Sequence, residues 1–351
     1  MRTLLCAALI PATALVAAAQ QPPAAPGAPA APTAAAVPAE AVLMQEDETY
    51  IDIWIIAGTK TDVRYLESKV DTDFTDMKIS KAKSIYLKEP KEFTQAIDLF
   101  QARKYAEAKA IFAALKARYK YMEAMPGNYS ALSAFYEMEC MRKLNDLEGL
   151  NTAMQRFIPD PLLRQSHKQQ VEIYTFWDAV RTKGWQRVDA MAKERVGVHL
   201  PSNLRAQIAY CHGLALEGLK KPNEALNAYS TAITADSGAS EEIARQASLN
   251  CLRILKADPE VQKAIRLWGT VDEVKTSSGR VRLLEASAMA HVYKKFFSLG
   301  SPLPPEYLDL LKYKEEEDKA ANPTAAKEEK EAKAEKKDDK KSEDKKKDEE
   351  K

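Results

Sequence analysis

The chain has 351 residues, of which 52 are basic and 51 acidic, so its formal net charge is +1. A general nucleic-acid binder needs an excess of basic side chains to neutralise phosphates, and this chain has none. Four cysteines are also too few for a protein held together by a disulfide framework. About 268 residues lie between two compositionally biased ends, enough for a sizeable core.

Residues 1–19 have the pattern of a secretory signal peptide. Arg2 supplies positive charge, residues 4–16 form an apolar stretch, and residues 17–19 are three alanines that suit signal cleavage. The apolar stretch is shorter than the roughly 20 residues that cross a bilayer. We therefore expect a periplasmic or otherwise exported protein that begins near Gln20 and has no transmembrane segment in the mature chain.

Two segments lack the residues that build a core. Residues 20–45 are mostly Ala and Pro, which favours an extended spacer. Residues 314–351 are mostly Lys, Glu and Asp, without any Leu, Ile, Val, Met or aromatic residue. Because no apolar burial would offset the entropy of ordering, we expect a disordered charged tail there.

Residues 46–84 are rich in β-branched and aromatic residues, which predicts a small β element. Three segments, 50–57, 63–66 and 74–79, predict strands separated by turn residues. A sheet of three short strands is marginal by itself. We therefore expect a small antiparallel sheet that leans on the first helices.

From residue 85 to residue 236 the apolar residues recur at helical spacing. Tyr105, Ala108 and Phe112 share one face of a predicted helix. Aligning the short turns between predicted helices places four residues at equivalent positions, separated by 42, 38 and 37 residues. These positions are Tyr105, Leu147, Trp185 and Pro222.

This pattern resembles the tetratricopeptide repeat, a helical hairpin of about 34 residues. The fourth unit matches the motif best, through Gly213, Leu216, Ala225, Tyr229 and Ala232, whereas Leu150 and Val188 stand where units two and three would have Ala. The resemblance implies a mainly α protein, an α-solenoid of stacked hairpins. We expect the helices of residues 237–313 to continue and cap that stack.

A search for catalytic chemistry nominates no catalytic residue, no metal site and no cofactor. The four histidines, at 167, 199, 212 and 291, do not have metal-ligand spacing. Cys140, Cys211 and Cys251 lie in predicted helices, where burial as small apolar residues is favoured and a Cys211–Cys251 disulfide stays open. The chain is not expected to be an enzyme.

In the repeat family the first helix of each hairpin lines a concave groove that holds an extended peptide or a helix of a protein partner. Carried over residue by residue, the motif places eleven candidates on that face, although an aromatic at helical spacing also fits a core position. The candidates are Phe93, Ile97, Phe100, Phe135, Glu139, Arg142, Ile173, Trp177, Arg181, Tyr210 and Glu217.

The sequence therefore favours a scaffold for protein–protein interaction in a bacterial cell envelope. One alternative is a module that binds a small apolar ligand between helices, which a cavity around Trp177 and Trp185 would favour. Another is an enzyme on an α-solenoid, which a cluster of perturbed carboxylates in a cleft would favour. The partner's identity and the oligomeric state stay open.

Overall fold

A computed structural model describes residues 37–238, 240–298 and 300–322. The predicted signal peptide and most of the Ala/Pro-rich and charged segments lie outside these ranges. The described chain is mainly helical with a small antiparallel sheet at its N-terminal end. The predicted balance of helix and sheet is confirmed.

The part of the sheet that the structure describes has five strands in the order β4-β3-β2-β1-β5. Three of them correspond to the predicted strands, and two were not predicted. The strands are β1 Ala39–Met44, β2 Tyr50–Gly58, β3 Asp62–Leu66, β4 Thr75–Lys78 and β5 Ser84–Leu87. All neighbouring pairs are antiparallel.

Strand β1 corrects the expected boundary of the spacer at residue 45. Ala41 and Leu43 point into the core, whereas Val42 and Met44 alternate toward the other face. This alternation is typical of a half-buried strand. Strand β1 follows directly on the Ala/Pro-rich run. Because the strand itself contains alanines near its start, composition does not distinguish it from that run. β5 likewise extends the β element beyond residue 84.

The sheet shares one core with the first helices and is not an independent domain. Ile53 and Ile55 of β2 are fully buried in the same apolar cluster as Phe112 and Met122. This confirms the expectation that a sheet of short strands needs a partner surface.

In the described ranges twelve α-helices follow the sheet, with short 3₁₀ turns at Lys120–Met122 and Pro305–Leu310 among them. They are α1 Lys91–Gln101, α2 Tyr105–Arg118, α3 Tyr129–Lys143, α4 Leu147–Met154, α5 Gln165–Arg181, α6 Trp185–Glu194, α7 Ser202–Gly218, α8 Pro222–Ala235, α9 Glu241–Ala257, α10 Pro259–Leu267, α11 Ser278–Phe296 and α12 Leu311–Ala321.

The first eight helices form four consecutive pairs joined by the same three-residue turn. Its middle residue has positive φ in every case, with values of 63°, 58°, 55° and 61° at Arg103, Asn145, Lys183 and Lys220. In the first turn, the Lys104 amide donates to the Leu99 carbonyl at 2.9 Å and the Arg103 amide to the Phe100 carbonyl at 3.0 Å. Equivalent bonds recur in the other three turns. This pattern is a Schellman cap, which satisfies the last carbonyls of each first helix.

The equal turns confirm the predicted alignment of the four hairpins. Tyr105, Leu147, Trp185 and Pro222 are each the first residue of the second helix in a pair. Small residues then allow close packing within and between pairs. At Gly213, for example, an added Cβ would lie 2.5 Å from Cε1 of the Tyr229 ring.

Helix α12 corrects the expected start of the charged tail at residue 314. Residues 314–321 are helical because Tyr313, just before them, is buried against Trp268 at a ring-centroid distance of 4.9 Å. Glu316 accepts a hydrogen bond from Trp268, and Glu317 pairs with Arg280. The rest of the predicted tail, from residue 323, lies outside the described residues.

Within the described ranges, no helix combines the length and the apolar character that crossing a bilayer requires.

Candidate binding cleft

A cleft with a volume of about 430 Å³ opens between α1, α3 and the start of α5. We call it the α1–α3 cleft. Its first wall is formed by Phe93, Ile97 and Gln101 of α1 and by Glu89, which precedes the helix. Because the three helical residues are spaced by four, they fall on one face of α1. Phe93 and Ile97 are two of the predicted partner-contacting residues.

The second wall is the N-terminal half of α3, where Tyr129, Leu132 and Tyr136 face the cleft. The position of this helix is set by Asn128, whose side-chain oxygen accepts from the Ala131 amide at 2.8 Å. Asparagine is among the preferred N-cap residues because it satisfies an otherwise unpaired amide of the first turn.

The third wall is the segment that leads into α5. It contributes Leu163, Arg164 and His167. The Gly127 amide donates to the Pro161 carbonyl at 2.8 Å, which ties this segment to the start of α3. Gly127 has φ of +73°, and an added Cβ would lie 2.8 Å from Leu163, so a larger residue would disturb the wall.

The floor of the cleft is aromatic, with Tyr136 at its centre. Its ring stacks on Phe112 at a centroid distance of 5.2 Å and meets Phe93 edge-on at 5.9 Å. Phe135 contacts Tyr136 at 5.3 Å and stacks on His167 at 4.4 Å. Aromatic rings thus surround Tyr136, and the floor of the cleft is largely apolar.

Three polar groups at the cleft have no hydrogen-bond partner among the described residues: the hydroxyls of Tyr129 and Tyr136 and the ring nitrogens of His167. Burial raises the pKa of Tyr129 to about 12, so its phenol keeps its proton at neutral pH. Burial, reinforced by Arg164, lowers the pKa of His167. Its imidazole is therefore neutral at pH 7.

The charges at the cleft are of opposite sign. The Glu89 carboxylate accepts from the Thr94 hydroxyl at 2.7 Å, and Arg164 is exposed at the third wall. Burial raises the pKa of Tyr136, while Arg164 lowers it and Glu89 raises it. The aromatic floor thus lies between one negative and one positive side chain.

The other nine predicted groove residues do not line this cleft. Phe135, Ile173 and Trp177 are buried core residues, and Phe100 and Tyr210 are partly buried within aromatic contacts. The expectation of an open groove along all four hairpins is therefore wrong for these side chains.

Glu139 and Arg142 belong to a buried ion network. Arg142, whose side chain is 3% exposed, holds both carboxylate oxygens of Glu139 at 3.1 Å, and its Nη1 donates to Glu242 at 3.2 Å. The Tyr174 hydroxyl donates to Glu139 at 2.6 Å, and Lys143 donates to Glu242 at 2.9 Å. Glu242 lies in the first turn of α9, so α9 closes the face that sequence reasoning left open.

Arg181 and Glu217, the remaining two candidates, are also paired within the chain. Arg181 donates to Asp178 at 2.9 Å and to Glu148 at 3.1 Å. Glu217 accepts from the Tyr229 hydroxyl at 2.6 Å and pairs with Arg253. These interactions hold neighbouring helices together.

A second buried polar cluster fills the region around Trp177. Gln170 and Gln207 exchange two amide hydrogen bonds, at 2.9 and 2.7 Å, and Gln207 also accepts from the Trp177 indole at 3.0 Å. The region around Trp177 is therefore packed with side chains. A ligand cavity there would have favoured the small-molecule alternative.

The three cysteines in the described ranges are free and buried. Burial raises the pKa of Cys140 and of Cys251 to about 12, so both stay as thiols at neutral pH. Among the residues that the structure describes, no group of three or more His, Cys, Asp or Glu side chains is arranged to hold a metal ion.

Sequence reasoning missed most of the cleft because its third wall is irregular chain. Leu163 and Arg164 follow two prolines, Pro159 and Pro161, in a segment with no helical period. The four-residue spacing of Phe93, Ile97 and Gln101 is a signal available in the sequence, and the repeat motif placed Phe93 and Ile97 on the partner-contacting face. Comparison with known proteins adds no further guide, since no family model, curated protein or solved structure matches the chain.

Proposed function

We propose that this chain is an exported helical-repeat scaffold that binds a protein partner in the bacterial cell envelope, and that the α1–α3 cleft holds a peptide segment of that partner. The observation that carries the proposal is the combination of an aromatic floor with hydroxyls on Tyr129 and Tyr136 that have no partner among the described residues. Apolar concave surfaces with a few convergent polar groups are typical of binding sites.

The dimensions of the cleft suit a short peptide. The α1 part of the first wall, from Phe93 to Gln101, rises by about 12 Å at ~1.5 Å per helical residue. An extended chain advances ~3.3 Å per residue, so this wall accommodates about four residues. The phenol hydroxyls would donate to peptide carbonyls, and the rings would contact apolar side chains.

The repeat architecture supports the same proposal. Four hairpins with identical caps are consistent with a tetratricopeptide-like stack, in which first helices face the concave side. In this chain the aligned faces of the later hairpins are filled by buried polar clusters. Partner binding is therefore assigned to the first two hairpins and the start of α5.

The export part of the proposal depends on residues 1–19. Mass spectrometry of the native protein tests it, and we expect a mature start near Gln20. A cytoplasmic pool that retains Met1 would contradict both export and an envelope role.

A small apolar ligand is the second candidate, because about 430 Å³ also falls within the range of small-molecule pockets. It would occupy the same aromatic floor. The two candidates differ in whether a polypeptide remains attached to the cleft after purification and washing.

The test is capture from an envelope extract with two matched surface variants. Leu163 is 73% exposed at the rim of the cleft, and Val196 is 81% exposed after α6, outside it. Leu163→Asp places a charge against the apolar cleft, and Val196→Asp places the same charge elsewhere. We expect a captured polypeptide that is lost with Leu163→Asp and retained with Val196→Asp, with equal melting temperatures.

Equal capture by both variants would contradict the cleft as the binding surface. Loss of a bound small molecule, without loss of any polypeptide, would favour the second candidate instead.

A further inference from the structure

Prolines recur at every third position in the segment that precedes the described residues, at Pro23, Pro26, Pro29 and Pro32. A polyproline II helix has three residues per turn, so this spacing places four proline rings on one face. No charged residue occurs between positions 20 and 36. The sequence thus encodes a neutral segment with a continuous proline face.

The α1–α3 cleft is chemically complementary to such a segment. A proline-rich chain presents carbonyl acceptors and ring faces but few amide donors. The cleft presents aromatic faces, and the hydroxyls of Tyr129 and Tyr136 are donors with no partner in the described chain. Aromatic-lined grooves recognise polyproline II segments in this way.

The start of the described chain lies close enough to the cleft for the segment to reach it. The Val37 carbonyl accepts from the Tyr121 hydroxyl at 2.9 Å. The Tyr121 ring is 6.4 Å from that of Tyr119, which is 6.3 Å from the Tyr129 ring at the cleft. Pro32 precedes Val37 by five residues, which span ~15 Å at ~3.1 Å per residue in polyproline II.

We propose that residues 22–33 bind the α1–α3 cleft of their own chain as an intramolecular ligand, which the partner must displace. This rests on the proposed function, because it names an occupant of the same cleft. A segment tethered this closely has an effective concentration in the millimolar range. It would therefore keep weak competitors out of the cleft.

The proposed occupant differs from a charged peptide in its response to salt. A charged peptide would pair with Glu89 or Arg164, and added salt would weaken its binding. Residues 22–33 carry no charge, so their affinity should be the same at low and high ionic strength.

The experiment uses the full chain and a full-length variant that carries Pro23→Ala, Pro26→Ala, Pro29→Ala and Pro32→Ala. A synthetic peptide of residues 21–33 is titrated into each by calorimetry. A peptide of the same composition with its prolines at irregular spacing is the control. We expect the native peptide to bind the variant at least about tenfold more tightly than the unaltered chain, whose cleft is occupied. The control peptide should bind neither.

Adding Leu163→Asp to the four-proline variant should abolish peptide binding, and adding Val196→Asp should preserve it. Equal affinity for both chains, no binding to the variant, or equal binding of the irregular peptide would overturn the proposal. So would dimerisation of the unaltered chain that depends on the four prolines, since the ligand would then come from a second copy. If partner capture still depended on Leu163 in any of these cases, the proposed function would stand without its intramolecular ligand.

Discussion

Arg142 and Glu242 are 100 residues apart in the sequence, yet Nη1 of Arg142 donates to Oε1 of Glu242 at 3.2 Å between helices α3 and α9. Arg103, in the turn of the first hairpin, pairs with the neighbouring Glu241. The first turn of α9 therefore contacts both the first and the second hairpin. This contact packs the start of α9 against the buried Glu139–Arg142 pair of α3.

Removing Arg142 should strongly destabilise the fold. Arg142→Ala would leave the carboxylates of Glu139 and Glu242 buried without their main partner, which typically costs about 3–5 kcal/mol. Arg118→Ala is the control, because the Arg118–Glu92 pair is largely exposed and should contribute under about 1 kcal/mol. Urea unfolding of the two variants measures the difference. Similar losses would show that the buried network contributes no more to stability than an exposed pair.

The same network predicts a pH dependence of stability. Burial alone would raise the pKa of Glu242, but Arg142 and Lys143 hold it below its ordinary value of 4.5, and Arg142 similarly lowers that of buried Glu139. Below pH 4.5 the unfolded chain therefore binds more protons than the folded chain. The contribution is fully present above that pH and is lost as the pH falls through the folded pKa values.

Urea unfolding between pH 3 and pH 7 checks this prediction. Glu242→Gln should flatten the acidic limb of the stability curve, whereas Glu172→Gln, on the exposed side of α5, should leave it unchanged. An unaltered acidic limb in Glu242→Gln would contradict the assignment.

Close helix packing predicts different effects for two alanines in α2. Ala108 is fully buried between helices, and Ala110, two residues later, is exposed. Ala108→Leu should overpack the contact and cost roughly 1–3 kcal/mol, while Ala110→Leu should change stability by under about 0.5 kcal/mol. Thermal melting distinguishes them. Equal melting temperatures of the two variants would show that Ala108 does not lie at a close contact between helices.

Truncation of the covered aromatics should affect stability. Phe135→Ala and Trp177→Ala remove side chains that are about 5% exposed or less, so each should cost about 3–5 kcal/mol. Leu163→Ala, at the exposed rim, should melt almost normally. Normal melting of the Phe135→Ala and Trp177→Ala variants would show that these side chains are not core residues, which would favour the predicted open groove.

The sequence predicted the helices well because their apolar period is local, and the hairpin turns at Arg103, Asn145, Lys183 and Lys220 followed from aligning those periods. It did not predict β1, since Ala39 and Ala41 extend an Ala-rich run and carry little strand signal by themselves. The sequence also did not predict that α9 packs against Arg142. Glu242 covers Arg142 from a helix that begins about a hundred residues later, and local spacing contains no such information.

We expect the α1–α3 cleft to bind a polypeptide. The most direct test of this expectation is to place a photo-crosslinking benzophenone side chain at position 163 of the full chain, irradiate it in the cell envelope and map the products by mass spectrometry. We predict cross-links to a polypeptide, either residues 22–33 of the same chain or a partner segment, at several times the yield from the same probe at position 196. Equal polypeptide yields from the two positions would contradict the claim.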